Sequence, residues 1–201
     1  MYRDISIIER STRFKLIPFD PNNHNHCQFL VDLWNTPLFI SLCGKTSIDT
    51  PENAKALISR RFISEYQRNG YGTYIISLNT IPSEENSNKS TLVGTVSLTK
   101  GDSEESYSIP DLGFAVLPEM NGKGIATEAS NVVLQFAKDE LGVDDVFGFC
   151  DPENVASRRV LEKSGLDFRG IHKLAAFGGI MGAVYALPHM KEDLSIYGLR
   201  V

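Results

Sequence analysis

The sequence predicts an α/β fold of the α+β kind. One domain over residues 1–201, with its core over about 10–190, is built on a mixed, mostly antiparallel sheet with helices on both faces. Three observations predict it. Two β-rich apolar runs, Tyr71 to Leu78 and Thr91 to Thr99, read as paired strands. From Asp111 to Ala137 the chain reads strand, glycine-rich turn and helix in direct succession. Val146 to Cys150 is then a second short strand leading into a second helix, so two strands become neighbours that diverge after Val116 and near Phe149.

Each element has a local reason. Thr12 to Phe19 is an opening strand ended by Pro18 and Pro21. Cys27 to Trp34 is a short amphipathic helix carrying Phe29, Leu30, Leu33 and Trp34, and Pro37 breaks it. Asp49-Thr50-Pro51 starts a longer helix, with Ala54, Leu57, Ile58, Phe62 and Tyr66 on its apolar side, which runs to Asn69-Gly70. Pro82 to Ser90 is polar and reads as a mobile loop. Lys100 to Ser108, with Glu104 and Glu105, reads as a solvated connection. Leu112, Phe114 and Val116 alternate with Gly113, Ala115 and Leu117 until Pro118 stops the ladder. Ile125, Ala129, Val132, Val133, Phe136 and Ala137 make one helical stripe, ended by Gly142. The last helix has Pro152 near its start, Ala156, Val160 and Leu161 as its stripe, and Gly165 just past its end. Lys191 to Val201 has no reading.

Composition narrows the function classes. A 201-residue chain with 42% hydrophobic residues can bury one good core, and it shows no 18-residue apolar run, signal peptide or internal repeat, so no membrane partner is expected. The three cysteines, Cys27, Cys43 and Cys150, lack metal or redox spacing and suit reduced thiols in a cytoplasmic protein. His24, His26, His172 and His189 show no ligand spacing either, and no metal is expected. A net charge of −5 argues against a nucleic-acid surface and favours small or cationic partners.

The turn Asn121-Gly122-Lys123-Gly124-Ile125-Ala126 feeds a helix N-terminus, where the first N–H groups lack helical acceptors and the dipole is positive. Gly122 and Gly124 leave the backbone open to a phosphate. Lys123 is followed by Gly124 rather than by a magnesium-binding hydroxyl, and Thr127 stands where a dinucleotide fingerprint wants a small residue, so neither nucleotide motif fits. Alone, the turn also reads as a surface turn whose glycines only supply positive φ. A second segment begins at Asp151-Pro152-Glu153-Asn154; its Asn154 and Ser157 share a helix face, although each alone reads as a cap and a solvated hydroxyl.

Together the two segments resemble the GNAT superfamily of N-acetyltransferases, in particular the branch that includes the ribosomal-protein N-terminal acetyltransferases. Gly122-Lys123-Gly124-Ile125-Ala126-Thr127-Glu128-Ala129 is similar to its pyrophosphate loop, and Asn154-x-x-Ser157-x-x-Val160-Leu161-Glu162-Lys163-x-Gly165 to its second cofactor segment. Arg10 to Phe19, Pro51 to Gly70 and Val184 to Leu187 are similar to the opening strand, the substrate-side helix and the closing strand. Two positions depart from the pattern: Asn121 stands for the usual Arg or Gln at the head of the loop, and Leu166 for the usual Phe.

The resemblance implies a sheet splayed at the cofactor site, with acetyl-CoA as donor. Asn121, Gly122, Lys123, Gly124, Ile125, Ala126 and Thr127 would meet its pyrophosphate, the backbone of Phe114, Ala115 and Val116 its pantetheine, and Asn154 and Ser157 the second segment of the site. It implies direct attack of a primary amine, a protein N-terminus or a small molecule, through a tetrahedral intermediate stabilised by a backbone N–H of the Phe114 to Val116 strand. Ser157 would donate to the departing sulfur. Asp111 or Glu119, flanking the cofactor strand, are the candidate bases. Trp34, Phe39 and Tyr74 are candidates for the acceptor pocket or for the core, and Tyr185 is another candidate for the pocket wall. A monomer or homodimer is expected. The alternative is a catalytically silent acyl-CoA-binding module.

Overall fold

The strands are β1 (Phe14–Pro18), β2 (Thr73–Leu78), β3 (Thr91–Thr99), β4 (Asp111–Val116), β5 (Phe147–Cys150), β6 (Asp167–Leu174) and β7 (Ile180–Ala186). In the computed structural model, which describes residues 7–79, 91–101 and 106–200, they form one sheet in the order β1-β2-β3-β4-β5-β7-β6. The segments read from sequence as loops at Pro82 to Ser90 and Glu104-Glu105 lie outside the described residues. Every neighbouring pair is antiparallel except β4–β5. This parallel pair holds only two register positions, Asp111 opposite Phe147 and Leu112 opposite Gly148. The strands therefore part after Leu112, earlier than the divergence expected after Val116.

The helices are α1 (His24–Trp34), α2 (Pro37–Cys43), α3 (Pro51–Leu57), α4 (Ile63–Asn69), α5 (Ile125–Leu141) and α6 (Val155–Lys163). Pro37 was expected only to break a helix; it also opens α2, because Thr36 caps the Phe39 N–H and proline is tolerated where no helical acceptor exists. Thr50 caps α3 in the same way, and a π-helical turn over Ile58–Phe62 joins α3 to α4 without a break, so the expected long helix is continuous but wound wider at its middle. Pro152 lies in the turn before α6, whose cap is Asn154.

Strand β6, which carries no strand signal in the sequence, hairpins with β7 at the sheet edge and lacks a clean two-residue alternation of burial. Gly148 and Tyr185 are register partners facing α6: a Cβ on Gly148 would stand 2.5 Å from a Leu161 methyl. The alternate residues Phe147, Val184 and Ala186 face the other way, into a second core cluster with Tyr107, Met190, Leu194 and Leu199. The tail thereby gains a place: its turn at Leu194–Tyr197 closes that face, and the Tyr197 carbonyl accepts from the Ser108 N–H at 2.7 Å.

Candidate active site

Beyond Leu112 and Gly148, β4 pairs only with β3 and β5 only with β7. The facing edges, Gly113 to Val116 and Phe149 to Cys150, thus leave backbone donors and acceptors unpaired along a cleft that widens toward the glycine turn. An extended ligand with amide groups can bond such an edge as an added strand would.

At the wide end, Gly122 and Gly124 hold φ of 73° and 75°, and no atom lies within 4 Å of where a Cβ on either would stand. The glycines are thus required by the turn's left-handed conformation and keep open space above it. Gly124 is the N-cap of α5 and contributes no side-chain oxygen to its first N–H groups, so the donors of Ile125, Ala126 and Thr127 stand at the positive end of a 17-residue helix. These are groups that fit a pyrophosphate. Asn121 and Lys123 are exposed beside it, and the Lys123 ammonium turns back to the Met120 sulfur at 3.8 Å.

At the narrow end, strand alternation puts Thr95, Ser97 and Thr99 of β3 on one face with their register partners Ala115, Gly113 and Asp111 of β4. This face is polar and built of small side chains. Asp111 Oδ1 accepts from Thr99 Oγ1 at 3.0 Å and from the Tyr107 hydroxyl. Burial pushes the Asp111 carboxyl above the usual carboxylate range, while those two hydrogen bonds and the charge of Arg61 pull it back. Glu65 of α4 is a second carboxylate close enough to interact with Asp111. It is 4% exposed and likewise raised by burial; its Oε1 lies 3.6 Å from Arg61 Nε and its Oε2 has no hydrogen-bond partner among the described residues. Sequence reading missed Glu65 because one Glu in a helical stripe gives no signal.

The sequence-predicted residues fall into groups. Phe114, Ala115 and Val116 form the β4 edge, and Asn121 to Thr127 form the turn and first helical positions beyond it. Asn154 Oδ1 caps the Ser157 N–H at 3.0 Å, and Ser157 stands one turn from Leu161, the residue packed on Gly148, which puts the start of α6 at the β5 side of the cleft. Glu119 is exposed on the turn Pro118–Met120 beyond β4, beside the glycine turn and at the opposite end of β4 from Asp111. Tyr74 and Tyr185 are closed into the structure at 1% and 0% exposure. Tyr74 packs edge-on against Tyr66, and the Tyr185 hydroxyl accepts from Arg158 Nε at 2.9 Å and donates to Glu162 at 3.2 Å. Trp34 and Phe39 stack at 5.4 Å and remain partly exposed. The Cys150 thiol is pushed up to about 11 by burial, which leaves it a poor nucleophile. Among the described residues no cluster of His, Cys, Asp and Glu could hold a metal ion, and no helix is long and apolar enough to cross a membrane.

The profile of the acetyltransferase (GNAT) domain matches residues 13–167. The uncharacterized N-acetyltransferase YnaD of Bacillus subtilis (strain 168) is 32% identical over 82 residues, 41% of this chain and 46% of its own length. The chain thus spans about half the length of the curated relatives it matches. A GNAT-family acetyltransferase from Bacillus anthracis superposes with a TM-score of 0.66 at 19% identity, over 94% of this chain and 99% of that one. RimL, a ribosomal α-N-protein acetyltransferase solved with coenzyme A, superposes with a TM-score of 0.67 at 19% identity, over 90% and 97% of the two chains. At such identities the likeness is one of fold. The profile match, which takes in the parted β4–β5 pair and the uncapped α5 terminus, identifies the chain as a member of the GNAT acetyltransferase family.

Proposed function

We propose that the protein is an N-acetyltransferase that moves an acetyl group from acetyl-CoA to a primary amine, either a protein N-terminus or a small-molecule amine. The observation that carries this reading is the cleft itself: the parallel pair parts after Leu112 and Gly148 and opens toward the uncapped N-terminus of α5. Asn121 to Thr127 would hold the pyrophosphate and the β4 edge the pantetheine amides. Acetyl-CoA supplies an activated acyl group as a thioester, which an amine held against it can attack without an acyl-enzyme.

The amine must be neutral to attack. An α-amino group, with a pKa of about 7.7–8.0, is partly neutral near pH 7, whereas a lysine-type amine near about 10.4 needs more help. Asp111 is our candidate base. It stands where β4 and β5 are still paired, at the narrow end of the cleft, and its raised proton affinity suits that role. Ser157, in the first turn of α6, is our candidate hydrogen-bond donor to the departing sulfur. The stacked Trp34 and Phe39 are our candidates for the acceptor wall. The name of the RimL neighbour, an α-N-protein acetyltransferase, supports including peptide N-termini among the acceptors.

Asn121 favours a second reading. It is exposed at the head of the turn and brings no long cationic side chain to a phosphate, as a catalytically silent acyl-CoA-binding module would tolerate. Calorimetric titration with acetyl-CoA and, separately, ATP tests the shared part of both readings. Saturable binding of acetyl-CoA and none of ATP is expected; preference for ATP would overturn them.

A further inference from the structure

The glycine turn is held from outside by one side chain. Arg13 stands one residue before β1, its carbonyl fixed by the Asn79 N–H at 2.9 Å, and its guanidinium forks. Nη1 meets Glu128 Oε2 at 2.8 Å, and Nη2 donates to the Lys123 carbonyl at 3.1 Å. The other Glu128 oxygen accepts from Ser11 Oγ at 2.6 Å, and the same Ser11 oxygen accepts from the Arg13 N–H at 3.0 Å. Opening strand, phosphate turn and first turn of α5 are thus tied in one network across more than 100 residues of sequence.

Two physical consequences follow. A planar trans peptide points its C=O and N–H in opposite directions, so drawing the Lys123 carbonyl toward Arg13 turns the Gly124 N–H away from it. This orients a turn whose glycines have open space where a side chain would stand, with no atom within 4 Å of either Cβ position. Glu128 also puts a negative charge in the first turn of α5, where it would compete with an incoming phosphate for the positive helix end. Arg13 neutralises it.

We infer that Arg13 is a positioning residue for the phosphate turn, orienting the Lys123–Gly124 peptide and cancelling the charge of Glu128 so that a diphosphate can bind. The inference rests on the acetyl-CoA reading above and assigns to the residue before β1 a cation that the turn lacks at Asn121. The test compares full-length wild type, Arg13→Ala and Arg13→Lys. Calorimetry measures coenzyme A affinity, kinetics with S-acetylpantetheine measures handling of a donor without the diphosphate, and thermal melts report folding. Arg13→Ala should lose at least tenfold in coenzyme A affinity while kcat/KM for S-acetylpantetheine stays within twofold. Arg13→Lys should recover only part, because an ammonium cannot span both acceptors as a fork. If Arg13→Ala unfolds, Glu128→Gln, which removes the charge while its one amide oxygen can still accept from Arg13, should bind coenzyme A at least as tightly as wild type. Coenzyme A affinity unchanged in folded Arg13→Ala, an equal fold loss in coenzyme A affinity and in kcat/KM for S-acetylpantetheine, or weakened binding in Glu128→Gln would overturn the inference. Failure of wild type to bind coenzyme A would overturn the functional reading and this inference with it.

Discussion

Leu112 and Gly148 are the last register partners of the parallel pair, and from them β4 and β5 diverge. That one contact defines the narrow end of the cleft. It is backed by the close approach of Leu161 to Gly148, which leaves no room for a side chain on β5 there.

Gly148→Ala should destabilise the fold. The new methyl would stand 2.5 Å and 3.2 Å from the methyls of Leu161 and Leu166, an overpacking that costs about 1–3 kcal/mol. Chemical denaturation measures this; an unchanged midpoint would show that α6 can move away.

Gly124→Glu should abolish coenzyme A binding. It forces a side chain onto a residue with φ of 75°, a strain of about 1–2 kcal/mol, and places negative charge at the helix end proposed for the pyrophosphate. Retained affinity by calorimetry would remove the turn from the site.

Asp111→Asn should lower kcat by about 10²–10⁴ if the carboxylate is the base, with little change in coenzyme A affinity. In wild type the acid limb of the kcat/KM profile should lie above the ordinary carboxylate range, because burial raises the Asp111 carboxyl. Loss of that limb in the variant is the expected signature; an unchanged profile would assign the limb elsewhere.

Ser157→Ala should lower turnover, by about tenfold or more, further than it lowers coenzyme A affinity, since a donor to the leaving sulfur acts mainly in the transition state. Equal losses in both would mark Ser157 as a binding residue.

The pH dependence of stability has a definite sign. Burial raises the Glu65 and Asp111 carboxyls in the folded chain, so the folded state holds their protons more tightly than the unfolded state. Their contribution is full below about pH 4 and is lost as pH rises through the raised values. Glu65→Gln should therefore raise the melting temperature at pH 7 and change it little at pH 4. A larger gain at pH 4 would contradict the assignment.

Much of the fold was legible because its signals are local. The caps at Thr50 and Asn154, the left-handed Gly142 and the apolar stripe of α5 each depend on neighbours within one or two turns. The glycine turn that opens α5 was legible for the same reason. Edge strand β6 was not, because its burial follows what covers it rather than a two-residue period, and the tail needed the Phe147 face to give it a place. Tyr74 and Tyr185 illustrate the limit for site residues, since an aromatic residue destined for the core reads the same as one lining a pocket. Glu65 and Arg13 escaped because their meaning lies in partners far along the chain, Asp111 for the first and Lys123 with Glu128 for the second.

The measurement that bears most directly on the central claim is thiol release from acetyl-CoA by the full chain, followed against a panel of primary amines and peptides with free N-termini. Release above the hydrolysis background for one amine class, with the acetyl group recovered on that amine, is the expected result. Saturable acetyl-CoA binding with no release for any acceptor would contradict the acetyltransferase account and favour the silent module.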